Sequence, residues 1–338
     1  MKGVIKTINP LGFVWETSNP FLFCVHHQDA YPQGNGEMGP AESLAGRDLG
    51  QDFDSNAEWR MYHGKKVPGF PVHPHRGFET VTIVLEGFVD HFDSGGATGR
   101  YGQGDVQWMT AGSGLQHSEM FPLVYTDRPN SLDLFQIWLN LPKADKFVDP
   151  HYKMLWSEEI PIVKFQDSRG CSTSIRIISG NFGNQPALEP APDSWAHSAS
   201  NQVAIWIISM EPEAQILLPA AKEQTNRSLY FFEGTSLTVD GREILRYRTI
   251  DVYSDQPIRL KNGSDPSRIL FLQGNAIEEQ VVQYGPFIMN TRQEIQQAFA
   301  DFHRTQFGGW PWERSDPVHP ASKGRFAQYH DGSVVEKE

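Results

Sequence analysis

The sequence predicts an all-β protein built from two β-rich halves. Three observations carry that reading. Short runs of β-branched and aromatic residues recur along the chain. They are punctuated by many of its 30 glycines and 23 prolines, the pattern of strands joined by tight turns. Only one segment, near the C-terminus, has convincing helical periodicity. The 338 residues suffice for two ordinary domains, and a hydrophobic fraction of 39 % is enough to give each a core.

Taken in order, Pro20–Val25 (PFLFCV) reads as a buried strand. Residues 31–58, rich in Pro, Gly and Asp and lacking periodicity, suggest a long surface loop or insertion. TVTIVLEGFVD at 80–90 alternates like a strand, and SGGATGRYGQG at 94–104 reads as a glycine-rich turn region. DVQWM, the turn TAGSG and LQHSEMF follow, then the strand candidate LDLFQIWLNL at 132–141. The mixed stretch from Pro142 to about Ser200 holds the domain junction.

A second β run comprises QVAIWIISM, AQILLPA, SLYFFEG, SLTVDGREIL and RILFLQGN. Asp240-Gly241 between alternating segments is a two-residue hairpin signal. Thr291 and Glu294 have capping-box spacing, and Ile295, Phe299 and Phe302 then share one helix face. From about Gly308 the chain is expected to pack along the body early and fray at its end.

A net charge of −12, with no Lys/Arg run against it, argues against direct nucleic-acid binding. Two cysteines far apart in sequence, Cys24 and Cys171, are too few for a disulfide framework and point to a reducing, cytoplasmic setting. The N-terminal text lacks the apolar core of a signal peptide, and no apolar run is long enough to span a membrane.

The chemistry concentrates in two short motifs, His73-Pro74-His75 and His117-Ser118-Glu119. On a strand, side chains two residues apart share a face and stand ~7 Å apart, so each pair can converge on one ion. Pro74 lacks an N–H and places its stretch at a strand start, an edge or a bulge. The intervening strand–turn–strand–turn text can fold the two pairs together. The result is three nitrogens and one carboxylate oxygen, a set suited to a first-row transition metal. Iron(II) fits best, with open coordination positions, whereas four protein ligands on zinc would make a closed site.

Glu79 shares strand parity with His73 and His75 and is a rival carboxylate. His26 and His27 face opposite sides of any strand, and His63 and His91 have no companion at ligand spacing. Trp108, Met109 and Met120 read as core, and Arg76 as a structural ion-pair partner. Between residues 198 and 302 there is no histidine, so the second half cannot build an imidazole site of its own.

HPHRGFETVTIVLEG, GDVQWMTAGSGLQHSEMFP and VVQYGPFIMNTRQEIQQAFADFHRTQFGGWPW together resemble the pirin family of the cupin superfamily. The resemblance implies a bicupin: two antiparallel jelly-roll barrels with a C-terminal helix and one iron in the N-terminal barrel. It implies the ligand set His73, His75, His117 and Glu119, and so prefers Glu119 to Glu79, which becomes a residue that lines the barrel or orients a neighbour. The expected division is a metal-binding barrel at 1–155, a linker with the first strands of the second domain at 156–200, a second barrel without metal ligands at 201–312, and an extended tail at 313–338.

Two activities are implied. One is a quercetin 2,3-dioxygenase-like oxygenase, acting on flavonols or related enolic aromatics, with Fe(2+), or Mn, Ni, Cu or Zn in its place. Glu119 then doubles as the catalytic base. The other is an iron- or redox-dependent regulatory protein that binds a transcription regulator or a metabolic enzyme. The loop at 31–58 and the tail depart from typical family members.

Overall fold

Strand after strand forms where apolar residues alternate with polar ones, and the departures come where glycine or a tail residue changes who pairs with whom. The computed structural model describes residues 3–338, so the first two residues of the expected N-terminal domain lie outside it. The chain divides into two compact units. Val25–Ser157 joins Glu279–Glu338 in one, and residues 3–24 join Glu158–Glu278 in the other. This differs from the contiguous division expected above, because both termini supply strands. Ile5–Pro10 pairs with Arg248–Val252, and Arg325–Gln328 pairs with Thr98–Gly102.

The unit that carries the two motifs contains β1 (Phe21–Tyr31) from Val25 onward, β2 (Gly69–His75), β3 (Phe78–Glu86), β4 (Phe88–Asp93) and β5 (Thr98–Gly102). These are followed by β6 (Val106–Thr110), β7 (Leu115–Met120), β8 (Asn130–Asn140) and β9 (His151–Leu155). The tail adds β10 (Arg325–Gln328) and β11 (Val334–Lys337). One antiparallel sheet runs β9–β6–β3–β8–β1 and the other β11–β10–β5–β4–β7–β2. Val84, Val89, Tyr101, Phe121, Leu132 and Leu134 belong to one buried cluster of this unit.

Three expectations need correction here. The glycine-rich stretch 94–104 is not turn throughout, because β5 is a fully buried strand within it. Its Gly99 lets the tail approach: a Cβ there would lie 2.5 Å from the Phe326 carbonyl oxygen. The tail does not fray but ends in β11, and buried Arg100 ties it down. Arg100 grips Asp90 at 2.7 Å through both Nε and Nη2 and donates to the carbonyls of His319, Pro320 and Lys323. Nor does the stretch read as a surface loop at 31–58 lie wholly at the surface: Tyr31 and Met38 within it are buried, as are Trp59, Met61 and Tyr62 just beyond.

The helix α1 (Arg292–Thr305) starts at Thr291 with both bonds of the capping box formed. It packs Ile295 and Ala298 against Phe287 and Met289. Arg76 donates from Nη1 to Asp301 Oδ2 at 2.9 Å and from Nε to the Ser113 carbonyl at 2.7 Å, the structural ion pair expected of it.

In the other unit a sheet runs Ile5–Pro10, Arg248–Val252, Asn226–Glu233, Ser267–Gly274, Ala204–Met210, Ser172–Ser179, Ile162–Gln166. A second sheet has the order Gln215–Leu218, Ile258–Asn262, Ser236–Val239, Arg242–Leu245. Asp240-Gly241 makes the two-residue hairpin turn, both residues at positive φ. Its core is aliphatic and aromatic, with Trp206 stacked on Phe271 at 4.6 Å. Cys24 and Cys171 are both free. Among the described residues no helix is long and apolar enough to cross a membrane.

Candidate metal centre

Antiparallel pairing brings the two motifs together. β2 lies at the edge of its sheet and pairs with β7, with a bulge between Phe70 and His73. Edge and bulge are where Pro74 costs no ladder hydrogen bond. In this register His73 is the direct partner of His117, so their side chains leave the same face. Ring centroids are 4.5 Å apart for His73–His117, 4.8 Å for His73–His75 and 4.9 Å for His75–His117. One nitrogen of each ring lies within 4.8 Å of one from each of the others.

Hydrogen bonds decide which nitrogen each ring presents. His73 Nδ1 lies 2.9 Å from the Pro71 carbonyl, and His75 Nδ1 lies 3.3 Å from that of Pro286. A carbonyl only accepts, so both Nδ1 atoms carry the proton and both Nε2 atoms keep a lone pair. His117 is fully buried, and neither of its ring nitrogens has a hydrogen-bond partner. Burial holds His73 down to about 4 and His75 and His117 well below the ordinary range. All three are therefore neutral at pH 7, the form in which imidazole ligates.

Glu119 stands beside this group, outside its closest cluster. Its Oε2 is 3.8 Å from His117 Nε2. Gln136 Nε2 donates to Oε2 at 2.5 Å, while Thr82 Oγ1 and Tyr101 Oη donate to Oε1 at 3.1 and 3.5 Å. Burial pushes this carboxyl up, against the pull of His91 and these donors.

Glu79 points elsewhere. The parity shared with His73 and His75 is broken at Gly77, whose φ of +86° turns the chain between β2 and β3. After it Phe78 and Thr82 face the histidines and Glu119. Glu79 is fully buried and accepts at Oε1 from Trp108 Nε1 (3.1 Å) and Thr110 Oγ1 (2.9 Å).

The remaining histidines divide as strand geometry requires. His26 bonds Asp133 at 2.8 Å, while His27 packs edge-on to Tyr62. His63 bonds the Gly50 carbonyl at 2.7 Å through Nδ1. His91 is the neighbour that motif spacing missed. It is the direct partner of Glu119 on β7, with its ring centroid 5.6 Å from that of His117. Its companion is Asp93 at 3.3 Å, and the His-x-Asp spacing on one strand face was the available signal. Gln136 and Thr82, polar residues inside apolar strands, were the other signals.

Residues 16–139 match the Pirin family, and residues 205–308 match the Pirin C-terminal cupin domain. The chain belongs to the pirin family. A Pseudomonas aeruginosa protein named provisionally as a quercetin 2,3-dioxygenase is 38 % identical over 242 residues, 71 % of this chain and 79 % of that one. Human pirin is 34 % identical over 253 residues, 73 % of this chain and 80 % of its own. The crystal structure of quercetin 2,3-dioxygenase from Acinetobacter baumannii superposes with a TM-score of 0.69 at 24 % identity, covering 90 % of this chain and 96 % of that one. That likeness bears on the fold, a bicupin.

Proposed function

We propose that this pirin holds one divalent metal ion, iron(II) in the first place, on His73, His75, His117 and Glu119, and acts as an oxygenase on flavonols or related enolic aromatics. The observation that carries the metal is His117. A buried imidazole with neither nitrogen bonded is costly, and here two further Nε2 lone pairs converge on it. A bound divalent ion would supply Lewis acidity and exchangeable positions for small molecules. The activity rests on the relative provisionally named a quercetin 2,3-dioxygenase, 38 % identical.

The protein's own groups would then do the following. Pro71 and Pro286 carbonyls keep His73 and His75 in one tautomer. Phe78 and Trp138 pack on His75 at 5.0 and 5.4 Å, giving an apolar wall suited to an aromatic ring. Glu119 Oε2 takes the proton from a substrate hydroxyl, with burial raising its basicity and Gln136 and Thr82 fixing its orientation. The test is anaerobic loading with iron(II), then quercetin, following loss of flavonol absorbance with O₂ uptake. Turnover that persists unchanged in His117→Ala or Glu119→Ala would reject this site.

A further inference from the structure

Beside the metal group an aromatic wall continues outward into the long insertion. The bulge in β2 lets three steps of that strand, Phe70 to His73, span two steps of β7, Glu119 to His117. Phe70 is thereby the direct partner of Glu119 as His73 is of His117, and both side chains leave the same face. Without the bulge Phe70 would point the other way. The Phe70 ring stands edge-on to His73 and to His63, with centroids 6.4 and 5.6 Å away. Phe53, from the insertion, meets His63 at 4.9 Å and Phe70 at 6.4 Å.

Water reaches this wall. Phe53, His63, Phe70 and His73 are all half-buried, whereas His75 and His117 are buried. His63 Nδ1 lies 2.7 Å from the Gly50 carbonyl, which only accepts, so Nδ1 carries the proton and Nε2 keeps a lone pair. Among the described residues that Nε2 has no hydrogen-bond partner, and it is not one of the enclosed polar atoms, so it is open to solvent. The same holds for His73 Nε2, in contrast to both nitrogens of His117. A molecule that touches the metal group at His73 can therefore extend past Phe70 to His63.

An acceptor nitrogen one aromatic residue beyond the ligands specifies a donor placed away from the atoms that bind the metal. We propose that Phe70 and Phe53 carry the outer ring of the substrate and that His63 Nε2 accepts a hydrogen bond from a hydroxyl on that ring. His63 then selects polyphenolic enols over enols that lack the remote hydroxyl. This rests on the oxygenase reading and narrows its substrate class. His63 is not a further metal ligand, because the Phe70 ring stands between it and His73. A carboxylate or phosphate would meet a lone pair at Nε2, so a neutral hydroxyl is the better match.

Anaerobic titration of the iron(II)-loaded full-length protein with two flavonols tests this, followed by the shift in flavonol absorbance. One is quercetin; the other is 3-hydroxyflavone, which has the chelating pair and no further hydroxyl. Quercetin should bind about fivefold more tightly or better, as one hydrogen bond implies. His63→Phe, which keeps the aromatic wall, should weaken quercetin alone and bring the two affinities within about twofold. His63→Leu serves if that variant does not fold, and His63→Gln, which restores an acceptor, should recover part of the preference. Phe70→Ala should weaken both flavonols alike. Equal affinities in the wild type, a preference that survives intact in His63→Phe, or stoichiometric iron with no flavonol binding would overturn the role of His63. A preference lost in His63→Phe on protein that holds no iron would keep that role and reject the metal reading instead.

Discussion

His73 and His117 are direct partners across the β2–β7 pair, with ring centroids 4.5 Å apart. Two residues 44 positions apart thus meet through the observed register, and a one-residue slip of β2 against β7 would turn one imidazole to the opposite face. Everything proposed for the metal centre depends on this register.

With a metal ion in the proposed site, the otherwise unpartnered imidazole of His117 should make stability depend on that ion. A ligand at 100 times its dissociation constant adds about 2.7 kcal/mol to folding stability, which for a domain of this size is about 5–10 °C in Tm. Thermal unfolding with and without a chelator should show that shift in the wild type and little of it in His117→Ala. In the chelated state His117→Ala should cost less than an ordinary buried truncation, because no hydrogen bond is lost.

Gln136 and Thr82 hold Glu119 without belonging to the metal group. Gln136→Leu combined with Thr82→Val should therefore leave metal content intact while lowering kcat by about tenfold or more, within the range for a misplaced general base. Equal loss of metal and of turnover would make these residues supports of the ligand set instead.

Gly77 separates β2 from β3 at φ +86°, and a Cβ there would lie 2.1 Å from the Ile288 carbonyl oxygen. Gly77→Ala combines a left-handed backbone with a clash and should destabilise by about 2 kcal/mol or more. Urea unfolding measures this. Metal affinity should fall as well, since His75 is only two residues away.

The tail is pinned by His330, whose Nε2 lies 3.0 Å from Asp93 Oδ2. Burial pushes the Asp93 carboxyl up, but hydrogen bonds from His330 and His91 prevail and hold it at about 2, while the same contact raises His330. A histidine whose folded pKa is raised gives stability that is complete below its ordinary value of 6.5 and lost as pH rises through the raised value. Amide exchange in Arg325–Lys337 should accelerate more between pH 6 and 9 in the wild type than the intrinsic rate predicts. His330→Gln should abolish that excess.

Much of this molecule was legible because strand parity is a short-range property. The two histidine motifs, the Asp240-Gly241 turn and the Thr291 cap each needed only residues a few positions apart. Glu79 misled because Gly77 resets parity, and a glycine's φ is not written in its neighbours. β5 was read as turn because its glycines serve the approach of Phe326, more than 200 residues away. The tail and the N-terminal strand were misassigned for the same reason: their partners, Thr98–Gly102 and Arg248–Val252, are remote in sequence. His91 carried a local signal in its His-x-Asp spacing, but its place beside Glu119 depends on pairing with a strand remote in sequence.

Elemental analysis of anaerobically purified protein tests most directly whether three imidazoles and Glu119 hold a metal ion. A stoichiometric divalent transition metal is expected in the wild type, and its loss in His73→Ala and His117→Ala. A wild type free of metal after loading with iron(II), or a His117→Ala variant that retains the full amount, would contradict it.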